Sequence, residues 1–144
     1  MASEAPITIL IAEDNKRDTF LLRHAYARTH RPYHLRFVST GLEVVDYLEG
    51  NAPYENRETF PLPEVLLVDL TMPQGGGFNV LSWLQASPHF RGLPAIVFTA
   101  SKSEEDRKRA MELGAKGYYL KSEYAGDASR IFEEISSSWL GGGT

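Results

Sequence analysis

Five polar residues close or directly follow short apolar runs. Glu13 and Asp14 come after Ile7-Thr8-Ile9-Leu10-Ile11-Ala12, and Asp69 comes after Val65-Leu66-Leu67-Val68. Thr99 closes Ala95-Ile96-Val97-Phe98, and Lys121 follows Tyr118-Tyr119-Leu120. Gathered in one place, three ionised carboxylates repel one another strongly. Lys121 returns one unit of charge and a divalent cation would return two, which brings the sum close to zero. Oxygen ligands with no histidine or cysteine select a hard cation, and a few carboxylates plus waters suit Mg2+. A site of this kind favours phosphoryl transfer, where catalysis is mostly positioning and charge neutralisation. A carboxylate can be the nucleophile. Asp69 is the best candidate, because it stands alone at the end of its run.

The elements that must position these groups alternate along the chain. The run at 7–12 is β-branched and apolar throughout, as in a strand buried on both faces. A helical pattern follows over 16–28, with Asp18, Leu21, Leu22, Ala25 and Tyr26 on related faces. A second strand is predicted at 33–38 and a short helix at 41–49, with Leu42, Val45 and Leu48 at helical spacing. Residues 50–63 form a polar connection with Pro53, Pro61 and Pro63, long for a helix-to-strand loop. A third strand covers 64–69. The loop 70–77 carries Pro73 and three glycines, and the next helix turns Phe78, Leu81 and Leu84 inward and ends near Pro88. The fourth strand is 94–99. The charged helix 101–113 opens on a capping-box pattern, Ser101-x-x-Glu104, and stops at Gly114. The fifth strand is 116–120. The last helix carries Ala128, Ile131, Phe132, Ile135 and Trp139 on one stripe. Strand and helix alternating five times imply a parallel sheet covered on both faces, with ligands bound beyond the carboxyl ends of the strands. All five polar residues fall at those ends.

The set Glu13-Asp14, Asp69, Thr99 and Lys121 resembles the receiver domains of two-component response regulators. The segment Asp69-Leu-Thr-Met-Pro73 with Gly77, and the approach Glu112-Leu-Gly-Ala-Lys-Gly-Tyr-Tyr-Leu-Lys121, resemble that family too. Thr99 and Lys121 stand 30 and 52 residues beyond Asp69, as in receivers. Each fragment alone is weak; together and in order they are specific. The resemblance implies a flavodoxin-like, doubly wound α/β fold with five parallel strands in the order 2-1-3-4-5. It implies a single receiver domain over 1–144, with its core at about 6–140 and no output domain.

It further implies that Asp69 accepts a phosphoryl group from a sensor histidine kinase. Asp14, Asp69 and the backbone carbonyl of Thr71 would hold Mg2+, with Glu13 acting through a metal-bound water. Lys121 would pair with Asp69 and then with the phosphoryl oxygens. Thr99 and Tyr118 would form the switch that carries the new charge to the surface. The chain would then act by switching a protein contact, on a downstream target or a phosphotransfer protein, rather than as a general enzyme. The family usually has proline after its lysine, and here Ser122 stands there; a cis bond before a non-proline costs about 2.5–4 kcal/mol. The 50–63 connection and the Lys121-Ser122 pair resemble the single-domain regulators that accompany phytochrome-type kinases.

Composition narrows the alternatives. Hydrophobic residues make up 42% and charged residues 24%, as in a globular chain. A net charge of −4 argues against nucleic acid, and no apolar run is long enough to span a membrane. No secretory signal opens the sequence, so a cytoplasmic protein is expected. The absence of cysteine excludes disulfides and thiolate sites. The histidines at 24, 30, 34 and 89 show no metal spacing. Gly75-Gly76-Gly77 fails the dinucleotide pattern, since Val80 holds its last position. Blander readings remain: Asp69 as a loop cap, Glu13-Asp14 as a turn with Asp14 or Asn15 capping the next helix, Tyr118 as core packing. A phosphatase with an aspartyl nucleophile would need a second Asp two residues on, where Thr71 stands. A docking module that keeps the site unused is a third reading. A homodimer through the last two helices, with Trp139 as a contact, is left open, although its stripe reads as core.

Overall fold

The structure is a computed structural model, and it describes residues 7–29, 31–74 and 76–140. The elements are β1 (Ile7–Ala12), α1 (Lys16–Ala27), β2 (Tyr33–Val38), α2 (Gly41–Glu49), β3 (Val65–Val68), α3 (Gly77–Ala86), β4 (Ala95–Thr99), α4 (Glu104–Glu112), β5 (Gly117–Leu120) and α5 (Ser129–Trp139). A 3₁₀ turn, Lys121–Tyr124, links β5 to α5. All five strands are parallel, in the order β2-β1-β3-β4-β5. This is the expected doubly wound sheet.

Continuous apolar strands make sense here because both faces are covered. Ile9, Ile11, Leu67 and Ile96 pack with Leu22 and Ala25 of α1 and with Ile131, Phe132 and Ile135 of α5. Leu10, Leu66, Val68 and Val97 pack on the other side with Val44 and Tyr47 of α2, Leu81 and Leu84 of α3, and Ala110 of α4. Ile131, Phe132 and Ile135 are fully buried, as the apolar stripe of the last helix requires. Trp139 packs against the same cluster.

Three local readings shift. On α2 the buried residues are Val44, Tyr47 and Leu48, while Leu42 is exposed. The helix is rotated so that Tyr47, the largest apolar body on it, takes the core side. On α3, Val80 joins Leu81 and Leu84 inside, and Phe78 is only half-buried beneath the Arg109 guanidinium. The cap of α4 is Ser103, whose hydroxyl accepts from the Asp106 amide at 3.1 Å. Ser101 is taken by other partners: its hydroxyl donates to Asp106 Oδ2 at 2.6 Å and its amide donates to Thr99 Oγ1 at 3.3 Å.

The 50–63 connection is tightly built. Tyr47, Tyr54 and Phe60 pack with ring centroids 5.1–5.9 Å apart. Arg57 donates to the carbonyls of Tyr47 at 2.9 Å, Leu48 at 2.8 Å and Phe60 at 3.1 Å. Two of these belong to the last turn of α2, whose carbonyls lack partners within the helix. Tyr47 also donates to the Pro61 carbonyl at 2.8 Å, and its burial pushes the phenol up to about 12. Among the described residues the cis peptide bond is Ala52–Pro53; the Lys121–Ser122 bond is trans.

Candidate functional site

Parallel strands end together, so the residues that follow them share one rim. The Glu13 amide donates to the Val38 carbonyl at 2.9 Å and the Asp69 amide to the Ala12 carbonyl at 3.1 Å, so both continue the ladder beyond the formal strands. Backbone register therefore fixes both carboxylates. Asp14 comes next, and Asn15 caps α1 by accepting from the Asp18 amide at 2.9 Å.

Ligand atoms of Glu13, Asp14 and Asp69 all lie within 4.8 Å of one another. The three are hard oxygen donors with no soft ligand among them, which suits an alkaline-earth-like cation. Asp14 is exposed and Glu13 only 4% exposed, so the cluster runs from the interior to the mouth. Thr71, two residues past Asp69, donates its amide to Asp69 Oδ1 at 3.3 Å.

Lys121 closes the site from the 3₁₀ turn. Its ammonium lies 2.9 Å from Asp69 Oδ2, 2.7 Å from Glu13 Oε1 and 2.6 Å from Asp18 Oδ2. Burial alone would lower its pKa, but the hydrogen bonds it donates to Asp18, Glu13 and Asp69 outweigh that and raise it. The ammonium form is thus secured. Asp18 is the member that sequence reasoning missed. Its signal was its place one helical turn beyond Asp14, but it was read only as part of a helix face.

Thr99 is buried at the end of β4. Its hydroxyl accepts from the Ser101 amide, and the Ser101 carbonyl accepts from the Tyr118 hydroxyl at 3.0 Å. The Tyr118 ring lies inside, with burial raising its phenol. Thr99 and Tyr118 are thus joined through one loop residue. All six sequence candidates with side-chain roles are found at this rim or in that relay.

Burial pushes the Glu13 carboxyl up from 4.5 to about 7; the Lys121 hydrogen bond opposes this and the Asp69 charge adds to it. The consequence has a definite sign. Between those values the folded chain keeps a proton that the unfolded chain has released. The stability due to Glu13 is therefore full below 4.5 and is lost as pH rises through about 7. In chelator, the wild-type Tm is expected to fall across this window relative to Glu13→Gln, which has no proton to lose. Parallel melting curves of the two proteins check it; equal slopes would contradict it.

Comparison with known proteins agrees with this geometry. Residues 9–134 match the response regulator receiver domain family. The chain is 30% identical over 138 residues to Response regulator Rcp1 of Synechocystis, covering 96% of this chain and 92% of that one. It is 32% identical over 144 residues to a probable methanogenesis regulatory protein, FilR2, of Methanothrix harundinacea, covering 98% and 88%. The Mn2+-bound form of Rcp1 superposes with a TM-score of 0.81 at 30% identity, over 94% of this chain and 95% of that one. The phosphorylated cyanobacterial phytochrome response regulator RcpA superposes with a TM-score of 0.85 at 29% identity, over 97% and 98%. Family match, strand order and the acidic rim converge: the chain belongs to the receiver domains of two-component response regulators.

Proposed function

We propose that Asp69 is the phosphoacceptor of this response regulator and that a phytochrome-type histidine kinase supplies the phosphoryl group. The observation that carries this is the Lys121 ammonium 2.9 Å from Asp69, beside an acidic cluster of ligand geometry. An Asp69 oxygen attacks phosphorus, the phosphorus–nitrogen bond of the kinase phosphohistidine breaks, and the imidazole leaves with that electron pair. Lys121 then turns from the carboxylate to the phosphoryl oxygens. Asp14, Asp69 and the Thr71 carbonyl would hold Mg2+, with Glu13 acting through a metal-bound water, and the ion would supply the positive charge that phosphoryl transfer needs.

Thr99 reads the new charge with its hydroxyl, and Tyr118 passes the change to the surface of α4, β5 and α5. Ala110 is the buried residue of α4, so this helix is lightly held and easily shifted. Output is a protein contact or onward phosphotransfer, in the cytoplasm. No described helix is long and apolar enough to cross a membrane. The likeness to RcpA, a phytochrome response regulator, supports the kinase class.

The test is phosphotransfer from a panel of autophosphorylated histidine kinases in Mg2+. The expected result is one acyl phosphate, labile to hydroxylamine, formed fastest with the phytochrome-type donor. Faster transfer from unrelated kinases would reject the kinase assignment.

A further inference from the structure

We propose that Asp18 is a positioning residue for the phosphoryl reaction, acting through Lys121. The inference rests on the reading of Asp69 as phosphoacceptor and adds to it. Lys121 has three ammonium protons and three carboxylate partners, and the nearest is Asp18 at 2.6 Å. The other two, Glu13 and Asp69, belong to the acidic cluster whose ligand atoms lie within 4.8 Å of one another. Asp18 lies outside that cluster. When Glu13 and Asp69 turn their oxygens to a cation or a phosphoryl group, Asp18 is the partner that stays with the ammonium.

The position of Asp18 is itself fixed. Its amide is held by the Asn15 side chain at 2.9 Å, so it sits in the first turn of α1 on a formed cap. The alternative for Lys121 is open space. A cleft of about 450 Å³ between α1 and the 3₁₀ turn is lined by Asp18, Leu22, Phe98, Lys121 and Tyr124. A lysine without its tether has four rotatable bonds and this cleft to explore. Asp18 thus confines the ammonium to the side of the cleft that faces Asp69, where it must be for phosphoryl transfer.

The experiment measures acyl-phosphate formation from acetyl phosphate and Mg2+, a donor that needs no docking on α1. Four proteins are compared: wild type, Asp18→Asn, Lys121→Met and the double variant. Melting curves confirm that each is folded. Asp18→Asn is expected to slow labelling about five-fold, the scale of one partly exposed charge-assisted hydrogen bond. In the Lys121→Met background the same substitution is expected to change nothing further, because its target is gone. A full rate in Asp18→Asn, or an equal loss in both backgrounds, would overturn the proposal. No labelling of the wild type would instead overturn the phosphoacceptor reading beneath it.

Discussion

Asp69→Asn is expected to abolish acyl-phosphate formation, with a rate loss of at least about 10³-fold, the scale of removing a catalytic nucleophile. The amide oxygen carries no negative charge to offer phosphorus. The geometry around it need change little, because the amide oxygen can still accept from Lys121, which lies 2.9 Å from Oδ2 of the wild-type carboxylate, and only the longer 3.3 Å bond from the Thr71 amide to Oδ1 is given up. Loss of function should therefore come without loss of fold. Four carboxylates, Glu13, Asp14, Asp18 and Asp69, crowd this rim around one lysine. Removing one of them relieves repulsion, so the Tm in chelator should equal or exceed that of the wild type. Intact-mass spectrometry after acetyl phosphate and Mg2+, with hydroxylamine treatment, reads the first effect. Wild-type labelling of the variant would remove Asp69 from its assigned role.

The second large effect is structural and comes from Gly77. A Cβ there would lie 2.6 Å from the Asp69 carbonyl oxygen and 2.8 Å from the Leu70 Cα, both backbone atoms that cannot swing aside. The Gly77 amide also donates to the Leu70 carbonyl at 3.0 Å, which closes the loop over the strand end. Gly77→Ala must push α3 off this loop or displace Asp69. A loss of about 3 kcal/mol in urea unfolding is expected, the upper range for overpacking. Phosphorylation should slow as well, because the displaced backbone carries the acceptor. Gly126→Ala is the control. Nothing lies within 4 Å of a Cβ there, and its change should stay within about 0.5 kcal/mol. Equal stability of the two variants would refute the close-packing argument.

The rim was legible in the sequence because a parallel sheet leaves little freedom. Once five apolar runs are identified, their carboxyl ends must lie together, and the residues that follow must meet. Glu13, Asp69 and Lys121 were found by that rule alone. Asp18 escaped it because it belongs to a helix: its approach to Lys121 depends on how α1 lies against the 3₁₀ turn, which no run of residues encodes. The α4 cap escaped for a related reason. Ser101 and Ser103 both offer a hydroxyl at capping distance from an acidic residue. The Ser101 hydroxyl donates instead to the Asp106 carboxylate, and its backbone is held by Thr99 and Tyr118, which left the cap to Ser103. On α2, helical spacing alone could not choose between Leu42 and Val44. Tyr47 chose, by filling the space that Tyr54 and Phe60 frame.

The arginine-strapped connection lies between the end of α2 and the start of β3, at the amino-end pole of the sheet, opposite the acidic rim. Its aromatic interior packs inward on Tyr47 of α2, and its outward side chains, Glu55 and Glu58 among them, face solvent. It is therefore a natural graft point. A dye, an affinity handle or a fused reporter attached there would leave the chemistry and the helices of the output face untouched, which makes this corner of the molecule the place from which to watch signalling without joining in it.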